Sequence, residues 1–277
     1  MGLLNTMFRS ALSAGALNYA AAWLLPWRSV FPVRAGNAGL VFMVHRRDAI
    51  GRHMAKYGAH EPALTTWIAH HLAKSPAGIF VDVGANVGWH TVHAAKQPAV
   101  EQVVAFEPDA FNAWLLDRNL SINDIGNVVV CACALGSARG LAKLHRYKAS
   151  NLGRHSVIAD HGHGTKLVPM LELDCALDNL GLGDRRIVAL KIDVEGYEPA
   201  VIEGATAALA RTDAVVLEFS PGLSGAGGLS IGGMIDRMEG SGLEAFSLEH
   251  DGTLAPFESD RLRVFSGQTD VIWMRAK

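Results

Sequence analysis

The chain has 277 residues, nearly half of them apolar, and a formal net charge of -2. That length suits one large α/β domain with a short extension and excludes two full domains. The near-neutral charge, with no basic run beyond pairs such as Arg46-Arg47 and Arg185-Arg186, argues against a nucleic-acid-binding surface.

The chain opens with Ser10 to Trp27, uncharged between Arg9 and Arg28 and rich in alanine, leucine and aromatics. Its length is marginal for a bilayer span. It reads as a packed or membrane-surface helix, giving peripheral membrane contact through residues 10–27, with a transmembrane anchor or a secretory signal as the alternatives. The three cysteines, Cys131, Cys133 and Cys175, have neither disulfide-framework nor zinc-site spacing. They point to a reducing, cytoplasmic compartment. Val30 to His45 reads as a strand pair around the turn Gly36-Asn37-Ala38-Gly39, and Arg46 to Tyr57 as a polar helix. After the turn Gly58-Ala59-His60-Glu61-Pro62, Ala63 to Ala73 is amphipathic, with Leu64, Trp67, Ile68 and Leu72 inward and His70-His71 on the surface.

Ile79 to Val83 is an apolar run holding one acid, Asp82, and reads as a buried parallel strand. Gly84-Ala85-Asn86-Val87-Gly88 then breaks it and opens a helix near Trp89-His90-Thr91. Such a turn brings backbone and the first helical N–H groups to a nucleotide-like ligand. Asn86 stands where a dinucleotide fold needs its middle glycine, and no Gly-Lys-Ser/Thr follows. The turn therefore suits a ligand with an adenosine and no pyrophosphate, such as S-adenosylmethionine. Val103 to Glu107 is a second strand; its terminal acid lies about 19 residues beyond Gly88, where a ribose-binding carboxylate belongs, and Pro108 stops it.

Asp109 to Leu120 reads as a helix, and Asn127 to Leu135 as a third strand whose end, Ala134-Leu135-Gly136, lies near the adenine. Ser137 to Gly164, with Ser150-Asn151, His155, His161 and His163, is an excursion over the site. Asp160-His161-Gly162-His163 lacks a further ligand at helical spacing, so no metal is expected. A strand at Leu167 to Leu173 leads through Asp174 into a helix ending near Gly181. Val188 to Ile192 is the next buried strand. Around its end, Lys191, Asp193, Glu195 and Glu198 crowd together where an open α/β sheet borders its ligand crevice. A helix from Pro199 to Ala210, a parallel strand from Ala214 to Glu218 and a glycine-rich loop from Gly222 to Gly233 follow. The last helix carries Ile235, Met238 and Leu243, before strands at Phe246-Leu248 and Asp270-Met274.

Asp82 to Gly88, Glu107-Pro108 followed by Asn112, Asn119 and Asn123, and Lys191 to Glu198 together resemble the signature of the FkbM-type methyltransferases. Gly204 after Val201-Ile202 and Glu218 after Val215-Val216-Leu217 fit as well, and Gly58 to Pro62 looks like that family's approach to its first helix. The resemblance runs from about Asp48 to the C-terminus. It implies a methyltransferase domain over 58–277 behind an N-terminal extension, 1–57. It also implies a Rossmann-like class I fold: a mostly parallel seven-stranded sheet with a C-terminal antiparallel hairpin and helices on both faces. S-adenosylmethionine would be the cofactor, contacted by Asp82, Gly84, Ala85, Asn86, Gly88, Glu107, Pro108 and Ala134, with Asp82 below the methionine moiety. The acceptor would be a hydroxyl on a small molecule, glycan or lipid.

Methyl transfer to oxygen is an in-line displacement that needs alignment and a group to remove the hydroxyl proton. Strand-end logic and the resemblance make Asp193 the first candidate, with Glu195, Glu198 and His90 as alternatives and Lys191 as an orienting residue. Two rivals are an NAD-dependent oxidoreductase, disfavoured by Asn86, and a non-catalytic membrane-associated binding module, disfavoured by the acids at 193, 195 and 198.

Overall fold

The computed structural model describes residues 30–36, 39–46, 48–147, 155–158, 160, 162–220 and 228–276. Ser10–Trp27, Asn37-Ala38, Ser150-Asn151, His161 and residues 221–227 of the glycine-rich loop lie outside the described residues. Among the described residues, no helix is long and apolar enough to cross a membrane.

Uninterrupted apolar runs become strands buried on both faces, as parallel sheets require. β3 (Gly78–Val83), β4 (Val100–Phe106) and β5 (Val128–Cys131) lie parallel on one side of the centre. On the other side of β3 come β9 (Ile187–Ile192) and β10 (Ala214–Phe219), also parallel. β13 (Thr269–Arg275) then pairs antiparallel with β10, β11 (Leu243–Leu248) with β13, and β12 (Leu254–Pro256) with β11. The order β12-β11-β13-β10-β9-β3-β4-β5 is the mostly parallel sheet with an antiparallel end that the sequence implies, lengthened at its edge by β12 to eight strands.

Side chains alternate across this sheet. Ile79, Val81 and Val83 meet α5 (Leu173–Asn179), α6 (Glu198–Glu203), α7 (Thr206–Ala210) and α8 (Ile231–Gly240) in the larger core. Phe80 faces α2 (Pro62–Lys74) and α3 (Trp89–Ala95) on the opposite side, where Leu64, Trp67, Ile68 and Leu72 are all buried. His70 is exposed, whereas His71 stacks on Trp67 and bonds through Nε2 to the Val188 carbonyl at 2.8 Å, fastening α2 to β9.

The N-terminal strand pair is a hairpin, β1 (Val30–Ala35) with β2 (Leu40–His45), followed by α1 (Ala49–Tyr57). It is fastened to α4 (Ala110–Ile122) by two asparagines. Asn123 accepts from the Val41 N–H at 2.9 Å and donates to its carbonyl at 2.7 Å. Asn119 does the same for Met43, at 2.6 and 3.2 Å. Phe42, Val44, Trp89 and Leu116 share the core beneath.

Three stretches differ from the sequence reading. Asn127–Leu135 is two strands: the Cys133 N–H turns back to the Cys131 carbonyl at 2.9 Å. Beyond it, β6 (Ala134–Leu135) joins β8 (Thr165–Leu171) and β7 (Gly140–His145) in a separate three-stranded sheet. The helix expected over Pro199–Ala210 divides at Gly204, because its carbonyl accepts from the Asp174 N–H, and the Asp174 carboxylate caps Ala207 and Ala208 at 2.8 Å each. Gly232 and Gly233 lie inside α8, whose N-cap is Ser230, rather than in a loop, and Leu243 begins β11.

Candidate active site

The turn after β3 holds three residues in the left-handed region, Gly84 (φ 77°), Asn86 (φ 51°) and Gly88 (φ 86°). A Cβ at Gly84 would fall 1.8 Å from the Asp193 carbonyl oxygen, and one at Gly88 would fall 2.2 Å from Leu116. Both glycines therefore serve close packing of protein on protein as well as the turn. The Gly84 and Ala85 N–H groups both donate to the Phe106 carbonyl at 3.0 Å. The Asn86 N–H donates to Oε2 of Glu107 at 2.8 Å, and the Asp109 N–H to Oε1 at 2.8 Å. Burial pushes the Glu107 carboxyl up to about 7, against the pull of those two N–H groups.

Glu107 stands at one wall of a cavity at the carboxyl ends of the strands. Gly84, Asn86, Pro108, Asn112, Cys133, Ala134 and Leu135 line the same side. Leu144 of β7 and, between β7 and β8, His155 and Val157 also line it. The Ser156 hydroxyl donates to the Glu195 carbonyl at 3.3 Å and ties this stretch to the β9 end. Asp193, Val194, Glu195 and Tyr197 form that end of the cavity. Glu195 is itself left-handed, with φ 50°.

Beyond Asp193 lies a charged cluster built by register. Lys191 sits beside Asp82 on the neighbouring strand and two residues before Asp193, so the three share one face. Its Nζ is 3.1 Å from Asp193 Oδ2 and 3.7 Å from Asp82 Oδ1, and Asp82 also accepts from the Thr91 hydroxyl at 2.6 Å. Burial alone would lower the Lys191 amine, but Asp193 and Asp82 hold it well above the usual lysine range. Burial would raise the Asp193 carboxyl; Lys191 and a hydrogen bond from Glu218 carry it below its ordinary value instead. Glu218 is pushed up by that neighbouring negative charge and by burial, and keeps the pair's proton. Its cross-strand partner Asp270 is raised to about 6, by burial and then by Glu61 and Asp193. Glu61 completes the cluster: its Oε2 is 2.8 Å from His90 Nε2 and its Oε1 is 3.2 Å from His60 Nε2.

Of the residues singled out in the sequence, Gly84, Asn86, Glu107, Pro108, Ala134, Asp193 and Glu195 line the cavity. Lys191 is buried behind Asp193, and Asp82 is sealed between Lys191 and Thr91. Ala85 and Gly88 shape the turn from outside the lining. Glu198 is buried, accepts from the Gly196 N–H at 2.8 Å and so braces the loop that carries Glu195. His90 is buried against Glu61, away from the cavity lining.

The family model described as the methyltransferase FkbM domain matches residues 82–245, which hold the turn, Glu107 and the Lys191 to Glu198 stretch. The chain belongs to the FkbM methyltransferase family. Methyltransferase sdnD of Sordaria araneosa is 28% identical over 164 residues, 49% of this chain and 63% of that protein. Hexuronic acid methyltransferase AglP of Haloferax volcanii is 28% identical over 142 residues, 51% of this chain and 56% of that protein. The match thus spans about six-tenths of the length of these curated relatives. Among solved structures, a SAM-dependent methyltransferase from Agrobacterium tumefaciens aligns with TM-score 0.47 and 9% identity, covering 90% of this chain and 71% of that one.

S-adenosylmethionine is the cofactor of this FkbM methyltransferase, and the residues present fit it. Glu107 keeps lone pairs for two hydroxyls beside its two backbone donors, and Phe106, Cys133, Leu135 and Leu144 give apolar walls for a base. Sequence reasoning missed Leu144, Val157 and Tyr197 as lining residues, and the Glu61 contact with His90. The short alternation in β7 could have pointed to Leu144 and the Glu61-Pro62 pair to Glu61; nothing in the local sequence marks Val157 or Tyr197.

Proposed function

We propose that this FkbM methyltransferase transfers a methyl group from S-adenosylmethionine to a hydroxyl on a small molecule, glycan or lipid. The observation that carries the reading is the position of Asp193, whose one side lines the cofactor cavity and whose other side meets the ionised cluster at the strand ends. The cofactor would supply a methyl group bound to a positively charged sulfur.

The remaining work falls to side chains of the chain. Glu107 would hold the ribose hydroxyls; Phe106 and Leu135 would flank the base. Asp193, kept ionised by Lys191, would accept a hydrogen bond from the acceptor hydroxyl and align it. Asp82 would act on the methionine end through Lys191 or a water. Glu195 would face the cavity from its strained turn, with Glu198 bracing it. The excursion carrying Leu144 and His155 would exclude water. Asp193, Glu61 and Asp270 outnumber Lys191 at the acceptor side, which favours an uncharged polyol over an acid.

The test is incubation with trideuteromethyl-labelled cofactor and a panel of methyl glycosides, polyols and fatty alcohols, read by mass spectrometry and NMR. A labelled methyl ether is expected. A label found on nitrogen, carbon or carboxylate would remove the hydroxyl assignment.

A further inference from the structure

Charge is divided unevenly along this chain, which the near-neutral total conceals. Residues 1–57 hold seven of the 25 lysines and arginines and one of the 27 acids, a surplus of six positive charges; residues 58–277 carry a surplus of eight negative ones. Arg9 and Arg28 bracket the uncharged apolar stretch Ser10 to Trp27, and Arg34, Arg46, Arg47, Arg52 and Lys56 follow. The one acid, Asp48, is 2% exposed and accepts from the Gly51 N–H at 3.1 Å as the cap of α1, so its charge is turned inward. A local surplus of this size, beside a domain of opposite sign, fits an anionic partner.

The fold presents part of that surplus on one helix. Gly51, Met54 and Ala55 turn α1 inward, and Met54 and Ala55 share a core with Val33, Phe42 and Val44 of the hairpin. Helical spacing then puts Arg52, His53, Lys56 and Tyr57 on the opposite side, where Arg52 is half-buried and the other three are exposed. The Tyr57 ring, 59% exposed, lies 4.6 Å from that of His53 and 4.7 Å from Lys56 Nζ. Arg34 is exposed on β1, whose end adjoins the end of α1: a Cβ at Gly58 would fall 3.2 Å from the Gly36 nitrogen and 3.7 Å from the Arg34 carbonyl oxygen. Basic side chains interleaved with an exposed ring suit the headgroup layer of a bilayer, where cations meet phosphates and rings reach the acyl boundary. The hairpin is clamped to α4 through Asn119 and Asn123, so whatever holds the extension also holds the catalytic domain.

We propose that the N-terminal extension docks the enzyme on the surface of an anionic bilayer, with residues 10–27 as the apolar anchor and the basic residues from Arg28 to Lys56 meeting lipid phosphates. Neither signal suffices alone. The apolar stretch is diluted by Gly15, Asn18 and Pro26, and stable attachment takes an apolar anchor together with a basic patch. Each lysine or arginine close to an anionic surface strengthens binding about fivefold, within a Debye length of roughly 8–10 Å. The attraction follows from the net surplus, so it requires none of these side chains to lack a partner within the protein. A nucleic acid would answer the charge but has no use for an uncharged apolar stretch beside it. The inference is independent of which acceptor is methylated.

The experiment sediments the full chain with vesicles of phosphatidylcholine alone or of phosphatidylcholine mixed with phosphatidylglycerol. Binding to the mixed vesicles should be at least about tenfold tighter, and should weaken as salt rises from about 0.05 to 0.5 M. Arg52→Gln with Lys56→Gln should weaken it by on the order of 10–30-fold, whereas Lys143→Gln, at an exposed lysine on β7, should leave it within about twofold. Leu24→Glu, which puts a charge into the apolar stretch, should weaken binding to both vesicles. S-adenosylhomocysteine affinity, measured by calorimetry, should be the same in every variant and so report an intact fold. Equal binding to the two vesicles, or binding that salt does not weaken, overturns the basic surface and leaves the apolar stretch as an anchor by itself. No binding to either vesicle overturns the whole proposal. Full binding in the Arg52→Gln, Lys56→Gln variant overturns the part assigned to α1. An RNA or DNA oligonucleotide bound more tightly than the mixed vesicles at the same salt replaces the bilayer with a nucleic acid.

Discussion

The backbone N–H of Asn86 donates to Oε2 of Glu107 across 2.8 Å, joining the tips of β3 and β4, 21 residues apart in the chain. With the Asp109 N–H on the other oxygen, the carboxylate is aimed before any ligand arrives. Glu107→Gln keeps the size and an oxygen but loses the charge that two ribose hydroxyls would meet. Cofactor binding should weaken by about 1.5–3 kcal/mol with folding retained, measured by calorimetry with S-adenosylhomocysteine. Unchanged affinity in a folded variant would take Glu107 out of the cofactor site.

The same carboxyl makes a pH expectation. In the free protein burial raises it to about 7, so it is partly protonated at neutrality. Ribose hydroxyls donate to the ionised form and favour it, so ligand binding releases a proton. Affinity should therefore tighten as pH rises from about 6 to 8 and weaken below. Glu107→Gln should flatten that slope; a slope unaltered in the variant would assign it to another group.

Among the described residues, Lys191 is the cation bridging Asp82 and Asp193, and it is 4% exposed. Replacing it by methionine leaves two buried carboxylates facing each other. Breaking a buried pair from one side typically costs about 3–5 kcal/mol, so Lys191→Met should show a loss on that scale in urea or thermal unfolding near pH 7. Lowering the pH, which protonates the stranded acids, should recover part of it. A loss under about 1 kcal/mol would mean that Lys191 does not neutralise the strand ends.

Asn123 stands in for a strand partner to Val41 and also donates to the Asn119 carbonyl at 2.7 Å. Asn123→Ala strands a backbone N–H and a carbonyl of β2. We expect about 1–3 kcal/mol of lost stability, with faster hydrogen exchange concentrated in β2. Uniform exchange across the sheet would contradict a local clamp.

What could be read from the chain follows from how each signal arises. β3, β4, β9 and β10 are apolar runs with an acid or turn at their ends, because strands buried on both faces tolerate little else. Their ends carry Glu107 and Asp193, so these two acids of the cavity lining were legible. Val128 to Leu135 was not, since continuous apolar sequence does not say that the chain leaves one sheet at Cys131 and enters another at Ala134. The split at Gly204 depends on Asp174, some thirty residues earlier in the chain, as the local sequence cannot reveal. His60 and Glu61 were visible as a turn. The contact of Glu61 with His90 is made only by the tertiary packing of α2 on α3.

The most direct measurement is a crystal structure of the chain with S-adenosylhomocysteine. The ribose hydroxyls should lie on the Glu107 carboxylate, the adenine should lie between Phe106 and Leu135, and the sulfur should point to the Asp193 end beside Lys191. A ligand bound with its adenine against Asp193, or seated outside the cavity behind Leu144 and His155, would contradict the site and the chemistry assigned to it.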